Sequence, residues 1–186
     1  MEIEVELNEF VGYENTESKS KIYQVETYDD KLIIFTEENP FYFEAGGQIS
    51  DKGVITIDDT SIEVIDVFQA SNGATGLIVD SDIFKVDQEV KLSVNKSFRS
   101  GVSKSHTGAH IVHSALRNIL GDHVAQAGSN VTPGKFRFDF SHTEKVSQEE
   151  LDEIFALSNS AVFEDYEVNT NIMNIDEAKN CLLYTS

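Results

Sequence analysis

His106 and His110 stand four residues apart. Four residues is one turn of an α-helix, so a helix carrying this pair presents both imidazoles on one face. Two imidazoles so placed can share one metal ion, and Zn²⁺ is the usual guest of nitrogen and thiolate donors. The pair supplies two donors where a closed zinc site uses about four. Histidines at this spacing are also common as surface or satisfied core residues of an amphipathic helix. Spacing alone leaves both readings open.

The surrounding elements must position the pair. Ile111, Val112, Ala115, Leu116, Ile119 and Leu120 are apolar at helical spacing, and Gly121 is a stop signal. Ser103 or Ser105 is a candidate cap for this helix, and the polar Lys96–Lys104 stretch reads as a connector before it. Beyond it come Gln126-Ala127-Gly128-Ser129 and a Pro133-Gly134 turn. A strand follows in which Phe136, Phe138 and Phe140 alternate with Arg137 and Asp139, two charges placed to pair with each other. Ser147 with Glu150 forms a capping-box pattern for a second helix, Ser147–Asn159, with an apolar stripe of Leu151, Ile154, Phe155 and Leu157. Tyr166–Met173 reads as a strand and Asp176–Lys179 as the start of a short helix.

Upstream the pattern changes from period 3.6 to period 2. Ile3, Val5 and Leu7 alternate with glutamates. Lys21–Thr27 and Lys31–Thr36 flank a Tyr28-Asp29-Asp30 turn, and Val54–Ile57, Ser61–Val67, Thr75–Val79 and Glu89–Val94 follow at short intervals. The expected fold class is α+β: a small antiparallel β-barrel over residues 1–95, then a two-layer α/β domain over 96–186. Asn39–Asp51 departs from the strand pattern. It is aromatic and then carries Gly46-Gly47, which permit positive φ and close backbone approach.

Charge limits the partners. The chain has 33 acidic and 14 basic residues, for a net charge of −19. That balance excludes phosphate binding over the surface as a whole. Only the segment 96–145, which carries the histidine pair, has more basic than acidic side chains. Cys181 is the single cysteine, so no internal disulfide forms, which fits a reducing compartment. The sequence shows no basic-then-apolar leader and no apolar run of membrane-spanning length. The expectation is a soluble, cytoplasmic protein with no membrane partner.

Three stretches in order resemble a known family. HTGAHIVHSALRNILGDHVAQAGSNVTPGKFRFDFSH, from His106 to His142, closely resembles the start of the editing domain of alanyl-tRNA synthetases. NPFYFEAGGQISDKGVI, from Asn39 to Ile55, resembles the segment just before that domain. EFVGYENTES, from Glu9 to Ser18, resembles the start of their small β-barrel.

The resemblance implies hydrolysis of tRNA-Ala wrongly charged with serine or glycine, with tRNA-Ala and the remainder of a synthetase as partners. It implies a zinc ion held by an HxxxH pair and a later Cys-x-x-x-His pair. His106 and His110 match the first pair. The second is absent from the sequence, and Cys181 has no histidine near it, so it reads as a small apolar residue. A partial zinc site in an editing domain incomplete at its C-terminus is therefore expected. The family commonly reads His-Thr-x-Thr-His; here Thr107 matches, Ala109 lacks the second hydroxyl, and Gly108 weakens a helix by about 1 kcal/mol relative to Ala. By the same resemblance Thr107 and Gln126 are catalytic-pocket residues. The Gly46-Gly47 loop lies against that pocket, with Gln48 near the terminal nucleotide of the tRNA. Lys135 and Arg137, with Lys96, Arg99 and Lys104, are the expected tRNA contacts. His113, His123 and His142 are not expected as ligands. The competing expectation is a tRNA-binding or interaction segment that keeps the fold without hydrolysis.

Overall fold

The computed structural model describes residues 3–168 and Asn174. The chain divides into two compact units, Met1–Val102 and Ser103–Ser186.

The first unit is a closed six-stranded antiparallel barrel. Its strands are β2 (Glu17–Tyr28), β3 (Lys31–Thr36), β5 (Gly53–Ile57), β6 (Thr60–Gln69), β7 (Thr75–Val79) and β8 (Glu89–Val94), in the order β2-β3-β7-β6-β5-β8. Two short strands, β1 (Glu9–Phe10) and β4 (Glu38–Asn39), pair in parallel beside it. The β2–β3 hairpin turns at Asp29-Asp30, with Tyr28 opposite Lys31 and Asp29 at φ 50°. Aspartate tolerates that left-handed conformation better than most side chains. Closure removes the exposed edges an open sheet would present.

Inward-facing residues fill the barrel: Ile22, Ile34, Phe41, Ile55, Val64 and Leu77 are fully buried. The run Leu32-Ile33-Ile34-Phe35 in β3 is continuous rather than alternating because both of its faces are covered. Ile34 faces the barrel interior, while Ile33 and Phe35 join Ile3, Ala70 and Ala74 in a second cluster. A strand buried on both faces has no polar side to alternate with.

Ile3–Leu7, expected as a strand, is not one. The alternation is real in burial, since Ile3 is buried and Val5 packs on the second cluster, whereas Leu7 is exposed. The segment is held by side chains in place of a ladder. Tyr23 Oη donates to Glu6 O (2.6 Å), Gln24 Nε2 to Glu4 O (2.9 Å) and Asn72 Nδ2 to Val5 O (2.6 Å). Burial holds the Tyr23 hydroxyl above its ordinary value, at about 12.

The helix α1 spans Lys96–Leu120, so the expected connector Lys96–Lys104 is helical. Asn95 caps it: its Oδ1 accepts from Phe98 N (3.0 Å) and its carbonyl from Arg99 N (2.9 Å). Asn95, directly after β8, thus starts the helix earlier than Ser103 or Ser105 would. Gly121 ends it at φ 111°, with its N–H donated to Arg117 O.

In the second unit α1 is followed by β9 (Gln126–Thr132), β10 (Lys135–Phe140) and α2 (Gln148–Phe163). The hairpin turns at Pro133-Gly134, with Gly134 at φ 72°. Phe138 and Phe140 pack with Ala115, Leu116, Val124 and Ile154, so two helices share one core with a two-stranded sheet. The capping box at Ser147 and Glu150 is formed. The expected stripe on α2 is only partly buried: Ile154 is inside, while Leu151, Phe155 and Leu157 are exposed. Tyr166, Glu167 and Val168 are not in a strand; the rest of that expected strand, the Asp176–Lys179 helix and Cys181 lie outside the described residues.

The barrel interior should carry most of the first unit's stability. Leu77→Ala removes a fully buried side chain that three strands pack around. It should cost about 2–5 kcal/mol in urea unfolding, and a loss below 1 kcal/mol would mean that the site collapses around the gap.

Candidate functional site

α1 places His106 and His110 as their spacing requires. The two rings lie with centroids 5.1 Å apart and planes 16° apart. Both are partly buried. Burial holds the His106 imidazole below its usual 6.5, and burial, then the neighbouring His106 and His113, do the same to His110. The pair is therefore biased to the neutral form that a metal ligand needs. With metal–nitrogen bonds of about 2.0–2.1 Å and tetrahedral angles, two imidazoles on one ion have ring centres roughly 5 Å apart. Spacing and protonation fit a zinc ion; the number of donors does not close its shell. Among the described residues no group of three or more His, Cys, Asp or Glu could hold a metal.

The other residues of this unit fall around the helix–hairpin core. Thr107 is partly buried, one position after His106. Gly108 faces Phe136: a β-carbon there would stand 3.4 Å from the ring. That is ordinary van der Waals contact, so the packing of β10 does not require a glycine here. Ala109 is buried, so a hydroxyl at that position would face the interior. His113 is buried against Phe138, with ring centroids 4.9 Å apart, and its imidazole too is lowered by burial. Gln126 opens β9 and donates from Nε2 to Ser129 Oγ (3.0 Å). Lys135 is exposed at the hairpin turn. Arg137 pairs with Asp139 across one face of β10 (2.9 Å), as the alternation led us to expect.

Gly46, Gly47 and Gln48 belong to the first unit. Ala45 and Gln48 exchange backbone hydrogen bonds of 3.1 and 3.0 Å around Gly46 (φ 59°) and Gly47 (φ 78°). Positive φ at both central residues is the type I′ signature, and glycine adopts it without strain. Gln48 is buried.

The structure adds a feature that no motif or spacing announces. Arg99, on the first turn of α1, is bound to Asp51 at the end of the glycine loop. Its Nε lies 2.9 Å from both carboxylate oxygens, and Nη2 also donates to Asp51 Oδ2. The remaining donors go to Gly12 O (2.5 Å) and Pro40 O (2.8 Å). Asp51 Oδ2 accepts a further bond from Tyr42 N (2.8 Å). The side chains are 14% and 1% exposed. Arg99, expected to reach tRNA, is committed to this internal clamp, and Lys96 pairs with Glu17 (3.0 Å). The two partners are 48 residues apart, so no local spacing announces them.

Residues 2–98 match the family described as tRNA synthetases class II (A). The chain is 39% identical over 181 residues to an alanine-tRNA ligase of Oceanobacillus iheyensis, covering 91% of this chain and 21% of that protein. It is 40% identical over 183 residues to the alanine-tRNA ligase of Lysinibacillus sphaericus (92% and 20%) and 38% over 182 residues to that of Bacillus velezensis (91% and 21%). This chain belongs to the alanyl-tRNA synthetase family, and it spans about one fifth of the length of the curated relatives it matches.

Two predictions follow from this geometry. Asp51→Ala leaves a buried guanidinium without its counter-charge and should cost about 3–5 kcal/mol; Arg99→Lys, lacking the planar fork, should recover little of the Arg99→Ala loss. Equal unfolding midpoints for Asp51→Ala and the unaltered chain would remove the clamp from the structural account. For the histidines, the folded values lie below the unfolded value of 6.5. The folded state then binds fewer protons, so the stability is present above that value and is lost as pH falls through it. The urea midpoint should be flat above about pH 7 and decline toward pH 5, less steeply in a His106→Gln/His110→Gln variant.

Proposed function

We propose that this chain is the part of an alanyl-tRNA synthetase that hydrolyses the ester between a wrong amino acid, serine or glycine, and the terminal ribose of tRNA-Ala. The observation that carries the reading is the partly buried His106–His110 pair on one face of α1, whose imidazoles burial biases toward the neutral form, in a chain of this family. In this reading the pair holds a zinc ion together with the family's later Cys-x-x-x-His pair, which this sequence does not contain. Bound there, zinc supplies Lewis-acid polarisation and orientation at the ester. Thr107 and Gln126 contact the aminoacyl group. The type I′ turn at Gly46-Gly47 lets the backbone approach the terminal nucleotide, with Gln48 beside it. Lys135 and Arg137 meet phosphate; the exposed Arg137–Asp139 pair is worth little in water, so a phosphate can take the place of the carboxylate. The compartment is the cytoplasm, where tRNA charging takes place. Among the described residues no helix is long and apolar enough to cross a membrane.

A second reading has an observation of its own. No third donor groups with the two histidines among the described residues, which favours a tRNA-binding segment without hydrolysis.

Zinc content and release of serine from Ser-tRNA-Ala separate the two. The 186-residue chain should hold little zinc and release serine slowly, because two ligands retain only part of the roughly 10–16 kcal/mol available to a complete site. A chain extended through the family's Cys-x-x-x-His should gain both, and His106→Ala should abolish both again. An extended chain with stoichiometric zinc that binds tRNA-Ala yet releases no serine would leave only the second reading.

A further inference from the structure

One large ring of the first unit stands almost free in solvent on a backbone that is tightly held. Tyr13 is 78% exposed. It lies in a turn in which Val11 O accepts from Glu14 N (3.3 Å) and Asn15 N (3.0 Å). Gly12, just before it, is buried, and a β-carbon there would stand 2.3 Å from Pro40 O and 2.5 Å from the Phe10 ring. The Gly12 carbonyl accepts from Arg99 Nη1 (2.5 Å), and Val11 N donates to Asn39 O (3.1 Å).

The ring leans on others. Phe10 and Tyr13 meet edge to face, with centroids 5.0 Å apart and planes at 90°. Phe10 makes the same kind of contact with Tyr42, at 6.2 Å and 66°. Tyr42 Oη donates to Ala45 O (3.4 Å), the residue that opens the Gly46-Gly47 turn. Edge-to-face contacts fix the angle of each ring against the next. A row of three rings therefore runs from the glycine turn out to Tyr13. Burial, and then the Tyr13 phenol, push the Tyr42 hydroxyl up, so the two phenols lie within electrostatic reach of each other.

A fixed, exposed tyrosine offers contact area with little side-chain freedom left to lose. Such a ring takes a cation over its face or the flat face of a nucleobase. Its place in the row favours the base, because the row leads to the turn that meets the terminal nucleotide in the function proposed above. Glu9, Glu14 and Glu44, near these rings in sequence, are exposed carboxylates that repel phosphate. What the row offers a nucleic acid is ring surface. Stacking needs no cation, whereas holding a phosphate backbone does. We propose that Tyr13 is a stacking platform for an unpaired base at the 3′ end of a bound tRNA, an inference that rests on the tRNA reading above. Tyr13 touches the base; Phe10 positions Tyr13.

The chain has no tryptophan, so Tyr13→Trp in the full chain keeps an aromatic face and supplies a single fluorophore. Its emission should be quenched saturably by tRNA-Ala with an intact 3′ end and left unchanged by the same tRNA trimmed of its unpaired 3′ nucleotides. Tyr13→Ala should weaken binding of the intact tRNA by about 5- to 150-fold. Tyr13→Phe should bind like the unaltered chain, because stacking uses the ring and not the hydroxyl. Tyr13→Ala removes an exposed ring, and its urea midpoint should match that of the unaltered chain. Unweakened binding by Tyr13→Ala, or equal quenching by intact and trimmed tRNA, would overturn the platform and leave the tRNA reading standing. Quenching by free arginine but not by tRNA would put a cation site in its place. Absence of any tRNA binding by the unaltered chain would overturn both. Binding with 3′-dependent quenching but no release of serine would sustain the platform and remove only hydrolysis.

Discussion

The buried Arg99–Asp51 pair is the constraint on which the first unit's glycine loop depends. Removing two charges from water costs several kcal/mol per ion, and their attraction offsets this only when every remaining donor and acceptor is satisfied. Here the guanidinium spends Nε, Nη1 and Nη2 on Asp51, Gly12 O and Pro40 O, and the carboxylate takes a further bond from Tyr42 N. Four segments of chain are therefore tied to one planar group: the turn at Gly12, the start of the loop at Pro40, its end at Asp51 and the first turn of α1. A lysine could neutralise Asp51 but could not reach two carbonyls in the same plane. The clamp fixes the end of the loop that carries the two left-handed glycines. Asn39 secures its other end, donating to Thr75 Oγ1 (2.9 Å) and accepting from Phe41 N (2.9 Å), with Phe41 set in the barrel core.

Much of the fold was legible because burial imposes a period. Strands such as β8 alternate exposed and buried residues, β3 and β7 carry continuous apolar runs, and their limits follow Asp, Asn, Gly and Ser turns. The Ile3–Leu7 alternation marked which side chains are buried but not how the backbone is held, since side-chain donors satisfy its carbonyls. β9 carries no strand signal of its own because Gly128, Ser129 and Asn130 are poor strand formers; its pairing with β10 makes it a strand. Lys96–Lys104 looked like a connector by polarity alone, yet a single asparagine cap before it is enough to begin a helix there.

The candidate site was legible to a lesser degree, for a different reason. The His106–His110 pair is a local spacing on one helix, so the sequence carries it directly. The Arg99–Asp51 clamp and the Phe10–Tyr42 ring contact join residues that only the fold brings together, and neither has a spacing to read. The apolar positions of α2 show the converse. Leu151, Phe155 and Leu157 have the period of a buried stripe, but periodicity does not say whether a partner surface is present to cover it.

The chemistry and the fold rest on separate groups of residues. None of the three apolar clusters contains His106 or His110. The imidazoles are biased neutral by partial burial, an arrangement that costs stability only under acid and asks for no metal to hold the helix. Fold alone therefore cannot separate an editing hydrolase from a binding segment of the same family. Under the proposed function the difference would lie in the number of donors that join the two imidazoles.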